Sequence, residues 1–143
     1  MQTAVKGGIL PPKKGVKRKA VKRKKKAPST GLERAALCAH AAIEKKAEEP
    51  IILDMTKISD FADYFVICHG IGTRHVKAIA ENIMEKLHKA GIRIIGEEGM
   101  LDARWVLVDC GDVVAHIFDE PFRNFYNLER LWIHAEEIEI PEE

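Results

Sequence analysis

Three groupings of side chains in this chain have the types and spacing that could do chemistry. Asp109 and Asp112 flank Cys110-Gly111. Two carboxylates so placed could share a divalent cation, but beside a glycine they are ordinarily turn formers, and no further ligand lies near them in sequence. Gly70-Ile71-Gly72-Thr73 leads into a segment of helical apolar spacing, where free backbone N–H groups could receive a phosphate. Nucleotidyl transfer would also need paired carboxylates for two metal ions on the strand that follows, and that segment, Ile92-Arg93-Ile94-Ile95, has no acid. A cap at Thr73 and a glycine turn explain the same residues. Cys68 and His69 are adjacent, so on a strand they point to opposite faces and cannot form a nucleophile and its base; Ser59 has no activating neighbour. His40, His75, His88 and His134 share no metal-ligand spacing. No catalytic residue, metal or cofactor is expected.

The elements that would position these residues follow from apolar spacing. Leu32, Ala35, Ala36, Ala39, Ile43 and Ala47 recur with a helical period that Pro50 should end. Ile51 to Met55 and Tyr64 to Cys68 read as strands. Val76, Ile79, Ala80, Ile83 and Leu87 form one stripe of a second helix, capped by Thr73 and closed at Gly91. A short strand at 92–95, a loop at 96–102, and strands at 105–109 and 112–118 come next. A last helix should cover Phe122 to Trp132, before a loosely held acidic tail at 135–143. The order αββαβββα, with strands on both sides of a crossover helix, implies an α/β fold: a mixed sheet with helices chiefly on one face.

The 105–118 segment says more. A two-residue loop at Cys110-Gly111 would pair Val108 with Val113, Leu107 with Val114 and Trp105 with His116. Alternation then separates an aliphatic face of Val106, Val108, Val113, Ala115 and Ile117 from a second face of Trp105, Leu107, Asp109, Asp112, Val114 and His116. The aliphatic face belongs under the helices. The second mixes an aromatic, aliphatics, an imidazole and carboxylates, a composition that suits a contact surface. The plainer alternative is that Trp105 covers the end of the sheet with His116 packed beside it.

Composition bounds the function classes. The length of 143 residues allows one ordinary domain. No apolar run approaches the roughly 20 residues of a spanning helix, and no signal peptide is read. Cys38, Cys68 and Cys110 are odd in number and sit in apolar stretches, as core residues in a reducing compartment would. The net charge of +1 conceals two opposed segments. Residues 1–31 carry eleven Lys or Arg and no acid; residues 32–143 carry twelve basic against 22 acidic residues, a balance of −10. The first reads as a disordered basic arm that could contact phosphates through Lys17, Arg18, Lys19, Lys22, Arg23 and Lys24, or could be a solvated tail. An organelle presequence would be richer in Arg and Ser. The acidic domain should favour a basic partner over bare nucleic acid.

Four stretches together resemble a known family: Asp60-Phe61-Ala62-Asp63-Tyr64-Phe65-Val66-Ile67, Gly96-Glu97-Glu98-Gly99, Trp105 through Phe118, and Arg123-Asn124-Phe125-Tyr126-Asn127-Leu128-Glu129-Arg130-Leu131-Trp132. Over residues 32–134 the chain is similar to the Iojap family, the ribosomal silencing factors. That resemblance implies a nucleotidyltransferase-like fold without enzymatic activity. It implies a factor that binds the L-fourteen protein of the large ribosomal subunit and sterically blocks joining of the small subunit, repressing translation. The family's partner surface includes the Trp of the Trp-Val-Leu strand, here Trp105, with Leu107, Asp109 and His116 beside it. The basic arm departs from the family's compact form; near a ribosome, ribosomal RNA would be its counter-charge. Other readings are a nucleotidyltransferase-like enzyme and an RNA-binding module acting through the arm. A cytoplasmic location is expected, a mitochondrial or plastid one being the alternative. Off the ribosome, the apolar sheet face could pair with a second copy.

Overall fold

The computed structural model describes residues 30–126 and 133–143. The basic arm and the expected helix beyond residue 126 lie outside the described residues. Thr30 opens helix α1 (Gly31–Glu44) as a capping box: its hydroxyl accepts the Glu33 N–H at 3.0 Å, and the Glu33 carboxylate accepts the Thr30 N–H at 3.3 Å. The helix buries Ala35, Cys38, Ala39, Ala41 and Ala42. It stops earlier than Pro50 would require, because Lys46 turns into the left-handed region (φ 63°) and the Ala47 N–H closes back on the Ala42 carbonyl. Pro50 instead lies within strand β1 (Glu48–Asp54), at a bulge where the ladder slips between Glu48 and Ile51. A residue without an N–H is tolerated at such a break.

Strand β2 (Tyr64–Gly70) leads to helix α2 (Thr73–Lys89), then β3 (Gly96–Glu98), β4 (Trp105–Asp109), β5 (Val113–Asp119), helix α3 (Glu120–Tyr126) and β6 (Glu136–Ile138). They form a six-stranded sheet in the order β3-β4-β5-β2-β1-β6. β2 and β5 run parallel and every other pair is antiparallel, so the sheet is mixed. Two expectations are corrected at its edges. Residues 92–95 form no strand; the Ile92 N–H completes the end of α2 by bonding the Leu87 carbonyl, and pairing with β4 is taken up by Gly96–Glu98, expected to be loop. The acidic tail supplies β6, paired with β1 from Ile52 to Asp54.

The hairpin also differs from its expected register. Trp105 faces Phe118, Leu107 faces His116 and Asp109 faces Val114, two places from the expected partners. The loop residues are Gly111 and Asp112, because the first loop position takes the positive φ and glycine is there (104°). A slip of two leaves the strand side chains on the same faces, while Asp112 passes from strand to loop.

Two apolar layers result. Under α1 and α2 lie Val106, Val108, Val113, Ala115 and Ile117 with Ile52, Val66 and Cys68, in one core with Val76, Ile79 and Ile83 of α2. On the other face Leu107, Val114 and Phe118 join Leu53, Met55, Ala62, Phe65 and Ile67, with Trp105 and Phe122 packed at the margin.

Candidate functional site

Trp105 is delivered to the margin of the second layer by a tight approach. At Gly99 (φ 89°) a Cβ would stand 2.1 Å from the Trp105 carbonyl oxygen, so only glycine allows the chain to pass there. Ala103, fully buried at φ 57°, donates its N–H to the Gly99 carbonyl at 2.8 Å. The loop between these residues is therefore held at both ends, and β4 starts at a fixed place.

The indole is fixed as well. Its Nε1–H donates to His116 Nδ1 at 3.1 Å, and its ring lies 4.9 Å from that of Phe118 between centroids. His116 is 2% exposed and packs on Phe65 at 4.5 Å. Because Nδ1 accepts, the imidazole proton sits on Nε2, which has no hydrogen-bond partner among the described residues. Burial pushes the His116 pKa down to about 3, so the ring is neutral. It acts as a fixed acceptor for the indole.

Of the six residues expected on the contact face, Trp105 is partly exposed while Leu107, Asp109, Val114 and His116 are buried. In the free chain those four do not face solvent. The Asp109 carboxylate accepts the Gly111 N–H at 2.8 Å, a turn-forming bond. Asp112 leaves this face: its carboxylate pairs with Arg34 of α1 at 3.4 Å, drawn to the helix side as it turns. Neither carboxylate is set up as half of a metal pair. Among the described residues no three His, Cys, Asp or Glu side chains converge as a metal site.

Three further groups are not singled out by sequence reasoning. Arg104 lies over the Phe122 ring at 5.4 Å from its centroid, and Ile58 and Phe61, in the β1–β2 loop that feeds Met55 and Ala62 into the second layer, are 40% and 43% exposed. A signal exists for Phe61, which stands inside the Asp-Phe-Ala-Asp stretch. Arg123 is equally unforeseen as a clamp. It is buried, donates to the Glu48 and Glu49 carbonyls at 3.3 and 2.7 Å, and stands 3.1 Å from His69 Nδ1. It thereby satisfies the bulge of β1 and ties α3 to the sheet.

The other candidate sites look different in three dimensions. At the entry to α2 the Gly72 N–H donates to the Asp119 carboxylate at 2.9 Å and the Ile71 N–H to His75 Nδ1 at 2.9 Å. A phosphate there would meet a carboxylate already seated on one of the donors. Thr73 is the first helical residue rather than the cap, a position taken by Gly72. Burial raises the Cys68 thiol to about 12, and the Cys38 thiol, hydrogen-bonded to Cys110, also titrates well above the ordinary value. Neither forms a thiolate nucleophile at neutral pH.

No helix among the described residues is long and apolar enough to cross a membrane. Comparison with known proteins places the architecture. The chain is 49% identical over 96 residues to "Ribosomal silencing factor RsfS" of Bacillus subtilis, covering 67% of this chain and 81% of that protein. A crystal structure from Bacillus halodurans, 44% identical, superposes with a TM-score of 0.65 over 72% of this chain and 93% of the other. A Chromobacterium violaceum protein, 32% identical, superposes with a TM-score of 0.72 over 80% and 95%. The family model described as "Ribosomal silencing factor during starvation" matches residues 28–143, and so takes in the whole sheet, the hairpin and the loop that sets Trp105. With that span matched, the chain belongs to the family of ribosomal silencing factors.

Proposed function

We propose that this chain represses translation without catalysis, by docking on the L-fourteen protein of the large ribosomal subunit and covering surface that the small subunit must meet. One observation supports this above others: the partly exposed indole of Trp105, locked by His116 and Phe118 on the sheet face that α1 and α2 leave uncovered. A rigid aromatic that has already lost its rotamer freedom gives contact area at low entropic cost. Ile51, Phe122 and Ala135 are half-buried at the margin of the same layer, with Arg104 over the Phe122 ring, and the balance of −10 over residues 32–143 suits a basic ribosomal protein through faster encounter. A steric block needs only affinity and position. Each bound factor removes one large subunit from the joining equilibrium.

The nucleotidyltransferase-like reading gains nothing from the fold, since the Asp119 carboxylate, seated on the Gly72 N–H at the entry to α2, would repel a phosphate there. We place the activity in the cytoplasm, with the large subunit as partner and no cofactor. Trp105→Ala tests the docking. Loss of a central interface Trp costs on the order of 2 kcal/mol, about a thirtyfold weaker complex. Sedimentation of mixed subunits at equal factor concentration should show joining restored by the variant. Unchanged inhibition by a folded Trp105→Ala would overturn the proposal.

A further inference from the structure

The sheet ends at β3. This strand has β4 as its single neighbour among the described residues, so one row of its backbone N–H and C=O groups has no ladder partner. Its two glutamates are exposed and diverge. Glu98 is in register with Leu107 and shares the face of Trp105, while Glu97 is in register with Val108 and points to the helix side. Apolar side chains stand free at both ends: Ile95 is 61% exposed beside Gly111 of the hairpin turn, and Leu101 is 91% exposed in the loop that runs on to Trp105. The edge is held in place, because the Ile95 N–H donates to the Asp109 carbonyl at 2.7 Å and the Ala103 N–H to the Gly99 carbonyl at 2.8 Å. We propose that this edge takes an added strand, an extended segment of the basic protein on which Trp105 docks, with Lys or Arg at adjacent positions opposite Glu97 and Glu98. The inference rests on the docking reading for the partner, and adds to it the mode of contact and the chemistry recognised.

Charge decides which strand fits. A second copy of β3 would set Glu97 and Glu98 against the same two carboxylates, an unfavourable cross-strand arrangement. A segment with neighbouring cations places one opposite each carboxylate, on alternate faces. Apolar residues on either side of those cations would meet Ile95 and Leu101. In such additions the main-chain bonds supply affinity and the side chains supply specificity. Position favours this edge over the other. β6 is also an acidic edge, but it stands at the far side of the sheet from β4. β3 lies beside β4, about 5 Å away in the plane of the sheet. A strand added there continues the surface that Trp105 begins, so one partner can engage both.

The test uses the full chain and purified large ribosomal subunits, with binding read by sedimentation at about 200 mM KCl, where loose phosphate contacts are weakened. Glu97→Lys with Glu98→Lys should weaken binding about tenfold or more, since both cross-strand pairs become repulsive. Glu81→Lys with Glu85→Lys, at exposed positions of α2, makes the same change in net charge and should leave binding within about twofold. Amide exchange across residues 95–99 should slow about tenfold or more in the bound wild type, a change that long-range charge would not produce. Equal weakening by the two reversals would overturn the proposal, as would unchanged exchange at 95–99 on binding. So would the same slowing in the free protein as its concentration is raised, because the added strand would then be a second copy. Trp105→Ala keeps the two readings separable. If it loses binding while reversal at 97 and 98 does not, the docking reading stands and strand addition fails. If the reversal weakens binding and Trp105→Ala does not, the edge holds the partner and docking through the indole fails.

Discussion

His116 is the residue whose chemistry most constrains the site. An imidazole sealed between Phe65, Phe118 and the indole is stable only as the neutral ring, and its pKa of about 3 against 6.5 states the cost of charging it. In the unfolded chain the ring takes up a proton near pH 6.5, whereas the native ring does not, so the unfolded state binds more protons between these values. Stability should therefore fall as pH drops below about 6.5, by up to about 1.4 kcal/mol per unit from this group, levelling near pH 3. Asp54, held below its ordinary range by bonds from Thr56, adds to the fall only at carboxylate pH. The window from pH 6.5 to 5 is where the histidine can be read apart from it. Urea denaturation at pH 7, 6 and 5 should show that slope in the wild type and a flatter profile in His116→Phe. That variant starts less stable at pH 7, because the indole N–H loses its acceptor. Equal slopes in the two proteins would mean that the native ring is not held neutral. Alternation along the strand puts His116 on the right face beside Trp105; that it serves the indole as a buried acceptor depends on Phe65 of a different strand, which no local pattern announces.

Among the elements, the ends are less legible than the bodies. The apolar stripes give α1 and α2, and alternation gives both faces of the hairpin even with its loop displaced by one residue, since partners then shift by two. What fails is what depends on a neighbour. β3 is acidic and short because it is an edge with a single partner, and a sequence rich in glycine and glutamate reads as loop when that partner is unseen. Likewise the apolar spacing carries α1 on to Pro50, but the helix turns at Lys46, a non-glycine residue in the left-handed region. That conformation costs an L-residue about 1 kcal/mol that glycine avoids. Lys46→Gly should therefore raise the urea midpoint by an amount corresponding to a few tenths to about 1 kcal/mol, less what glycine's freedom costs in the unfolded chain. A lower midpoint would show that the Lys46 side chain contributes more than its backbone strain removes.

At the scale of the whole molecule, the tail closes the sheet. The last residues read as a polar, acidic segment with nothing to bury, yet β6 pairs with β1 and places Ile138 and Ile140 against the helix-side core, while His40 Nε2 meets the Pro141 carbonyl on the outside of α1. Two isoleucines spaced two apart among glutamates are a strand signal too short to stand out, and only the exposed edge of β1 gives it meaning. The edge needs a cover: an unpaired strand flanked by apolar residues invites pairing with another chain. Ile138→Ser removes the larger part of what holds β6 at one position while leaving its backbone donors in place. Amide exchange at Ile52 to Asp54 and in β6 should then accelerate about tenfold or more, as expected for losing roughly 1.5 kcal/mol or more of local burial. Exchange in β4 and β5, across the sheet, should stay unchanged. If β4 and β5 accelerated equally, the tail would be part of one cooperative unit with the Trp105 face. Loss of the cover would then reach the proposed docking site itself.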